Sequence, residues 1–480
     1  MATTVSTRIR MHRMGELGDC FLLTFTAGQR KSHMLIDCGT FRNGAGSKTR
    51  IREVVTSIRK ELKGKPLDVV VGTHQHNDHM NGFVHAEDLL ADNVSQVWLS
   101  WLDDPEDAEA RVIATDYNNL RANLVRAAAH LKGRALSPQR KQALDRTEGL
   151  LGFFVGARHA NGTPSVLPEQ ARKNLQAIGK KEPRYLHPGQ SIAFPSLPAN
   201  SVRVHVLGPP HERSELERMN PRKGESYDKH LSRATAFSAR FADALTARAL
   251  DAHADKEKKQ RSELREEMEY PFANQVKRKE DEASGALKDL VAGYRHKRND
   301  WRLADDDWLD QCEGLALWLD DYTNNSSLVL AIELVASKKV LLFAADAQTG
   351  NWSSWKDIRW KDKDISTADL LARTVLYKVG HHGSHNSTHA QVFEQMTDPR
   401  LSALIPVDKT DGNIAKDNGW RMPAEQLFAR IKAKTRNRAL QMDGDDDPAC
   451  DPKKKAVKDN WKKAGFRIKT DSDLFIELTL

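Results

Sequence analysis

The ten residues THQHNDHMNG at 73–82, set directly after LDVVVG at 67–72, constrain this chain more than any other stretch. LDVVVG is a short apolar run, so it reads as a buried strand. Three histidines and an aspartate then fall within residues 74–79, in a chain with 18 histidines among 480 residues. His74 and His76 are two apart, so on extended chain their rings point the same way. Asp78 and His79 lie past the strand, where a turn can aim them at a second point. Neutral imidazoles offer lone pairs and a carboxylate offsets charge, which together suit a divalent cation. Two pairs with different directions predict two adjacent metal ions. A polar loop with incidental histidines accounts for one such residue, but not for four at this spacing.

The surroundings read as α/β layering. Strand-like RIRMHRM, DCFLLTF and HMLIDCG precede a helical RIREVVTSIRKEL, and SQVWLSW follows the motif as a further strand. From about Asp103 the pattern turns helical, and SIAFP and VRVHVLGPP interrupt it near 190–210. A second excursion at 211–312 is rich in Lys, Glu, Arg and Asp and reads as long, exposed helices. Strands return with NNSSLVLAIELV, KKVLLFAAD, TVLYKVGHHGS, LSALIPVD and DLFIELTL. No segment approaches the roughly 20 apolar residues that span a bilayer, and the first residues lack the apolar core of a secretory signal. A cytoplasmic protein without membrane contact is expected. The four cysteines form no CxxC pair, so neither a disulfide framework nor a thiolate zinc site is predicted. A net charge of +8 favours an anionic partner, nucleic acid among them, although the interleaved signs also describe an ordinary solvated surface.

HQHNDHMNG resembles the HxHxDH-and-glycine signature of the metallo-β-lactamase-fold hydrolases. MLIDCG is similar to that family's early strand ending in an aspartate, here Asp37. KKVLLFAADAQ is similar to the later strand ending in a bridging aspartate, here Asp346. LYKVGHHGS resembles the strand ending in the last metal histidine, for which His381 is the first choice, with His382 as an outer or catalytic group. Within the superfamily, GELGDCFLL, NNSSLVL, FAADAQ and KVGHHGSHNST resemble the soluble metallohydrolase module of the DNA-internalisation competence protein and its free-standing relatives. The implied fold class is α/β, a metallo-β-lactamase αββα sandwich with two largely helical insertions. Its core would comprise 1–102, 186–210 and 313–480, interrupted by insertions at 103–185 and 211–312.

The resemblance also implies roles. His74 and His76 would bind one metal, Asp78, His79 and His381 the other, and Asp346 would bridge them. Asp78 and His382 are the catalytic candidates. Asp37 would orient a ligand histidine, and Ser384 is either a phosphate contact or an ordinary turn serine. The cofactors would be two divalent ions, zinc or manganese, activating a hydroxide as nucleophile. The chain departs from the family where a further histidine is common: HVLGPP carries Gly208 there, with His205 and His211 nearby and His211 as a possible substitute. Trp352, Trp355 and Trp360 read either as a stacking platform for bases or as core packing. The leading functional expectation is a nuclease that cleaves phosphodiester bonds in DNA. The alternatives are hydrolysis of a small ester, lactone or cyclic nucleotide, and an interaction protein that docks a protein partner through 211–312.

Overall fold

The computed structural model describes residues 3–131, 138–158, 164–219, 221–222, 224–227, 284–294, 296, 308–415, 420–443, 447–470 and 472–480. The chain divides into two compact units, one of residues 1–114, 151–235 and 320–480, the other of 115–150 and 236–319. Most of the charged segment at 211–312, and with it the expectation of exposed helices there, lies outside the described residues. The described residues of the second unit are mostly helical, drawn from the helices Ala108–Leu131, Pro138–Leu151, Ala286–Tyr294 and Trp308–Asn325.

The first unit is built on two sheets. Its strands are β1 (Val5–His12), β2 (Phe21–Ala27), β3 (Arg30–Ile36), β4 (Leu67–Val71), β5 (Val94–Ser100), β6 (Val155–Arg158), β7 (Pro164–Val166), β8 (Arg184–Leu186) and β9 (Ser191–Ala193). They continue as β10 (Val202–Gly208), β11 (Val329–Leu334), β12 (Lys339–Phe343), β13 (Thr374–Lys378), β14 (Ser402–Ile405), β15 (Ala439–Gln441), β16 (Arg467–Lys469) and β17 (Phe475–Thr479). One sheet runs β16-β17-β1-β2-β3-β4-β5-β8 and the other β15-β14-β13-β12-β11-β10-β9, with β6 and β7 as a separate hairpin. Strand alternation sorts side chains between layers. Along β11, Leu330, Ile332 and Leu334 join the core shared with the first sheet, while Val329 and Ala331 face a second core with Trp352, Trp355, Leu427 and Ile431. Phe21 meets Phe343 edge-on across the two sheets, ring centres 5.6 Å apart. Helix Ala45–Leu62 buries Ile51, Val54, Val55, Ile58 and Leu62 at helical spacing, in the core of the first sheet. Every residue of β4 is buried, as its unbroken apolar run requires between two parallel neighbours.

The division of the chain is finer than a helical block at 103–185. Residues 151–186 belong to the first unit and supply the β6–β7 hairpin, helix Leu167–Ile178 and β8, which pairs with β5. β8 is 3 residues long, too short to carry a periodic signal.

His12 ends β1 fully buried, against Phe475. Burial, helped by the nearby Arg10, pushes its pKa down to about 3. A free histidine titrates near about 6.5, so the unfolded chain takes a proton that the folded chain refuses. Stability is therefore lost as pH falls from the unfolded value toward the folded one. Between about pH 7.5 and about pH 5 this residue should cost about 2 kcal/mol of stability. A His12→Phe variant should show a correspondingly smaller loss in urea-unfolding midpoints at the two pH values. An equal loss in both proteins would refute the assignment.

Candidate metal centre

The site assembles where parallel strands end side by side. β3 and β4 pair in parallel with Ile36 beside Val71, so Asp37 and the 73–79 segment leave the first sheet together. β12 and β13 pair in parallel with Phe343 beside Lys378, which brings Asp346 and the His381-His382 pair off the second sheet together. The turn at 77–79 lies directly on Gly39, where a Cβ would sit 2.4 Å from Asn77 O and 2.5 Å from His79 N, so only glycine admits this approach. Asp37, Ala345, His381 and His382 all have left-handed backbone (φ 56, 47, 41 and 51°). Such conformations cost about 1–3 kcal/mol each and persist where surrounding structure enforces them, often at functional sites.

Two groups of side chains result. In the first, His74 Nε2 and His76 Nδ1 are 3.1 Å apart. His74 Nδ1 turns to the hydroxyls of Thr73 (3.1 Å) and Ser327 (3.3 Å), leaving Nε2 for the shared point. In the second, one oxygen or nitrogen each from Asp78, His79, Asp346 and His382 lies within 4.8 Å of the others, all four residues being buried. His79 Nε2 is 3.1 Å from Asp346 Oδ2, and His382 Nε2 is 2.9 Å from Asp78 Oδ2. The remaining ring nitrogens explain the orientation. His79 Nδ1 is 2.8 Å from Asp37 Oδ2, and Asp37 is itself anchored by the Thr73 N–H and hydroxyl at 2.9 and 2.8 Å. His382 Nδ1 is 2.6 Å from Pro406 O. A carbonyl only accepts, so that nitrogen carries the proton and Nε2 is free to act as a donor of electrons.

Charge balance tests whether these residues fit a cation. Asp19, Asp37, Asp78, Asp320 and Asp346 are all buried here, with Lys378 as the buried ammonium among them. Lys378 Nζ contacts Asp19 Oδ2 at 2.5 Å, Asp346 Oδ1 at 3.2 Å and Ala345 O at 3.0 Å. Burial opposes charging of His79, yet Asp346, Asp19, Asp78 and Asp37 outweigh it and raise its pKa well above the ordinary value. His382 is raised in the same way, burial being overcome by the Asp78 hydrogen bond and by Asp346 and Asp19. Both shifts show that the surrounding carboxylates favour positive charge at these two rings. His74 and His76 are pushed down instead, mainly by burial, His76 to about 3, which leaves their lone pairs available. His76 Nε2, His79 Nε2, Asp78 Oδ1, Asp346 Oδ2 and Asp320 Oδ1 are buried without hydrogen-bond partners. Orphaned buried donors and acceptors are costly, and their concentration at one place fits a divalent ion.

Placement of the predicted residues is mixed. His74, His76, Asp78, His79 and Asp346 are brought together, and Asp37 backs His79. The histidine pair sorts differently from the expectation: His382, not His381, faces Asp78 and His79. The left-handed turn at both residues is the reason, because it points the second ring inward. His381 instead gives its backbone N–H to Asp346 Oδ1 (2.9 Å) and its Nδ1 lies 3.2 Å from the Ser384 hydroxyl. Ser384 is buried and also bonded to Asn386. The position at Gly208 has no room for a ligand, since a Cβ would lie 2.1 Å from Asn351 Oδ1. His205 bonds Ser191 and Glu333, and His211 stacks with His187 and Trp101, so neither stands with His74 and His76. Trp352 and Trp355 are buried against each other, with ring centres 4.1 Å apart and no face open to a base. Sequence reasoning missed Asp19, Asp320, Ser327 and Lys378. A lysine inside the otherwise apolar strand TVLYK was the one signal of a buried ion pair.

Residues 14–88 match the sequence profile of the metallo-beta-lactamase superfamily. No curated protein matches the chain. The match spans the first-sheet half of the site, from Asp19 to His79, and the two sheets with their helices form the corresponding α/β sandwich. It implies a metal-dependent hydrolase. Among the described residues no helix is long and apolar enough to cross a membrane.

Proposed function

We propose that this chain is a divalent-metal-dependent phosphodiesterase acting on DNA. The observation that carries the hydrolytic part is the buried convergence of Asp78, His79, Asp346 and His382 from two sheets. His74 Nε2 and His76 Nδ1 would hold one ion, Asp78, His79 and His382 the other, and Asp346 would lie between them. All are nitrogen or oxygen donors, which suits zinc or manganese. Bound divalent ions supply Lewis acidity, bringing the pKa of water toward about 7 and stabilising charge that develops on phosphoryl oxygen. The protein's own contribution is orientation. Asp37 holds His79 by Nδ1, Pro406 O holds His382 by Nδ1, and Lys378 with the His381 N–H holds Asp346 by Oδ1. Asp346 Oδ2 is thereby left facing the histidines, and its protonation is opposed: burial favours the neutral acid, but His79 and Lys378 drive its pKa well below the usual range.

DNA as substrate is supported by the net charge of +8 and by the resemblance of GELGDCFLL, NNSSLVL and KVGHHGSHNST to the competence-protein module. The test is metal analysis of purified protein, followed by cleavage of single- and double-stranded DNA and of a small phosphodiester and an ester with zinc or manganese. Metal-dependent DNA cleavage that vanishes in Asp78→Ala is the expected result. Cleavage of the ester alone would replace DNA with a small substrate, and equal DNA cleavage by both proteins would assign it to a contaminant.

A further inference from the structure

His76 Nε2 points away from His74, and what it points at comes from a distant part of the chain. Asp320, in the last turns of helix Trp308–Asn325, places Oδ1 3.5 Å from that nitrogen. Both atoms are buried without a hydrogen-bond partner, and the residues are 1% and 4% exposed. The other Asp320 oxygen is tied back by the Asn324 amide, which donates to Oδ2 at 3.3 Å. The rest of the His76 surroundings is apolar on two sides, with Phe153 and Phe154 ring centres 5.0 and 4.8 Å away. Among the described residues no group there competes with Asp320 for the proton on Nε2.

We infer that Asp320 is a positioning residue for the first cation: its carboxylate takes the His76 Nε2–H and so fixes the tautomer whose Nδ1 lone pair stands beside His74 Nε2. This role rests on the metal-dependent reading above and extends it to the ion whose ligand set is poorer. Gly208 offers no ligand and is crowded by the Asn351 side chain, and His205 and His211 have other partners, so His74 and His76 stand without a third histidine among the described residues. With so few ligands, orientation of each ring matters more. A carboxylate behind a ligating histidine both locks the ring and strengthens its donation, and removing such a partner typically costs about 10–100-fold in metal affinity. The structure places the two atoms 3.5 Å apart, longer than a hydrogen bond, and the contact is inferred to shorten when the ion is bound. Ser327 does the equivalent for His74 and comes from the same stretch, DDYTNNSS at 320–327, which makes this segment the rear support of the first ion.

The experiment measures the two metal-binding steps separately on the full chain, by chelator competition with zinc and by the absorption of the cobalt-substituted protein. Wild type should bind two ions. Asp320→Ala should weaken one step by about 10–100-fold and leave the other unchanged. Asp320→Asn, which keeps an oxygen acceptor of the same shape, should fall between. Should Asp320→Ala fold poorly by circular dichroism, Asp320→Asn decides alone, with selective weakening of one step supporting the inference. Wild-type constants for both steps in the variants would overturn it. Absence of metal binding in the wild type is a different failure, since it would overturn the metal-dependent reading itself.

Discussion

Replacing His382 by asparagine should weaken metal binding at the Asp78–His79 position by more than about 100-fold, whereas His381→Asn should stay within about tenfold of wild type. The two residues are neighbours with left-handed backbone (φ 41 and 51°), a conformation asparagine tolerates, so both variants carry a similar folding burden. What differs is the ring. His382 Nε2 stands 2.9 Å from Asp78 Oδ2 inside the buried group of four, and its loss removes one of those donors. The His381 ring faces Ser384, and the contribution of His381 to Asp346 is a backbone N–H that survives any side-chain change. Burial, opposed in part by Asp346, also lowers the His381 pKa to about 4, so it offers no charge to the site near neutral pH. Competition with a chromophoric chelator and hydrolysis rates at saturating metal report the two effects. Should His381→Asn be the variant that loses metal, the assignment of His382 is wrong and the ring at 381 must turn inward in the loaded protein.

That contrast marks the limit of what the chain's order could tell. The 74–79 cluster was legible because its four side chains sit within one turn of each other after one apolar strand, and local spacing suffices there. Asp346 was legible only through the resemblance of KKVLLFAADAQ to the family's later strand, and it follows β12 by three residues. The choice between His381 and His382 depends on φ at two residues, which no pattern of residue types encodes. Asp320 and Asp19 were silent for another reason, and Lys378 signalled only that a strand carried a charge, not what it paired with. Asp320 meets His76 and Lys378 meets Asp19 only after the two sheets pack, so their meaning is purely tertiary. The short strand β8, 3 residues long, was likewise decided by its neighbour rather than by period, whereas β9 lies within the strand-like SIAFP. The tryptophans after Asp346 illustrate the converse. The indole N–H groups of Trp352 and Trp355 donate to Ala347 O and Asn351 Oδ1, letting those rings fill the outer core beside Leu371 and Tyr377, while half-buried Trp360 donates to Thr367 Oγ1.

Substituting Lys378 by methionine should destabilise the metal-free protein by about 3–5 kcal/mol, the usual result of removing one partner from a buried ion pair. The ammonium is 1% exposed and is wedged between Asp19 and Asp346, with Ala345 O taking a further bond. Burial disfavours its charge, but Asp19 and Asp346 more than compensate and raise its pKa. Methionine has nearly the same length, so the cost comes from charge and not from a cavity. Asp19 already has a raised pKa from burial, which Lys378, His79 and His382 only partly offset. Without the lysine, both carboxylates would be left buried with less positive charge around them. A divalent ion supplies that charge, so saturating metal should restore more stability to the variant than to wild type, by the linkage between binding and folding. Urea-unfolding midpoints in chelator and in saturating zinc measure both quantities. A variant within about 1 kcal/mol of wild type in chelator would mean that the lysine is not needed to balance the two carboxylates. An equal metal response in the two proteins would separate the ion pair from the metal site and leave Lys378 with a purely structural part.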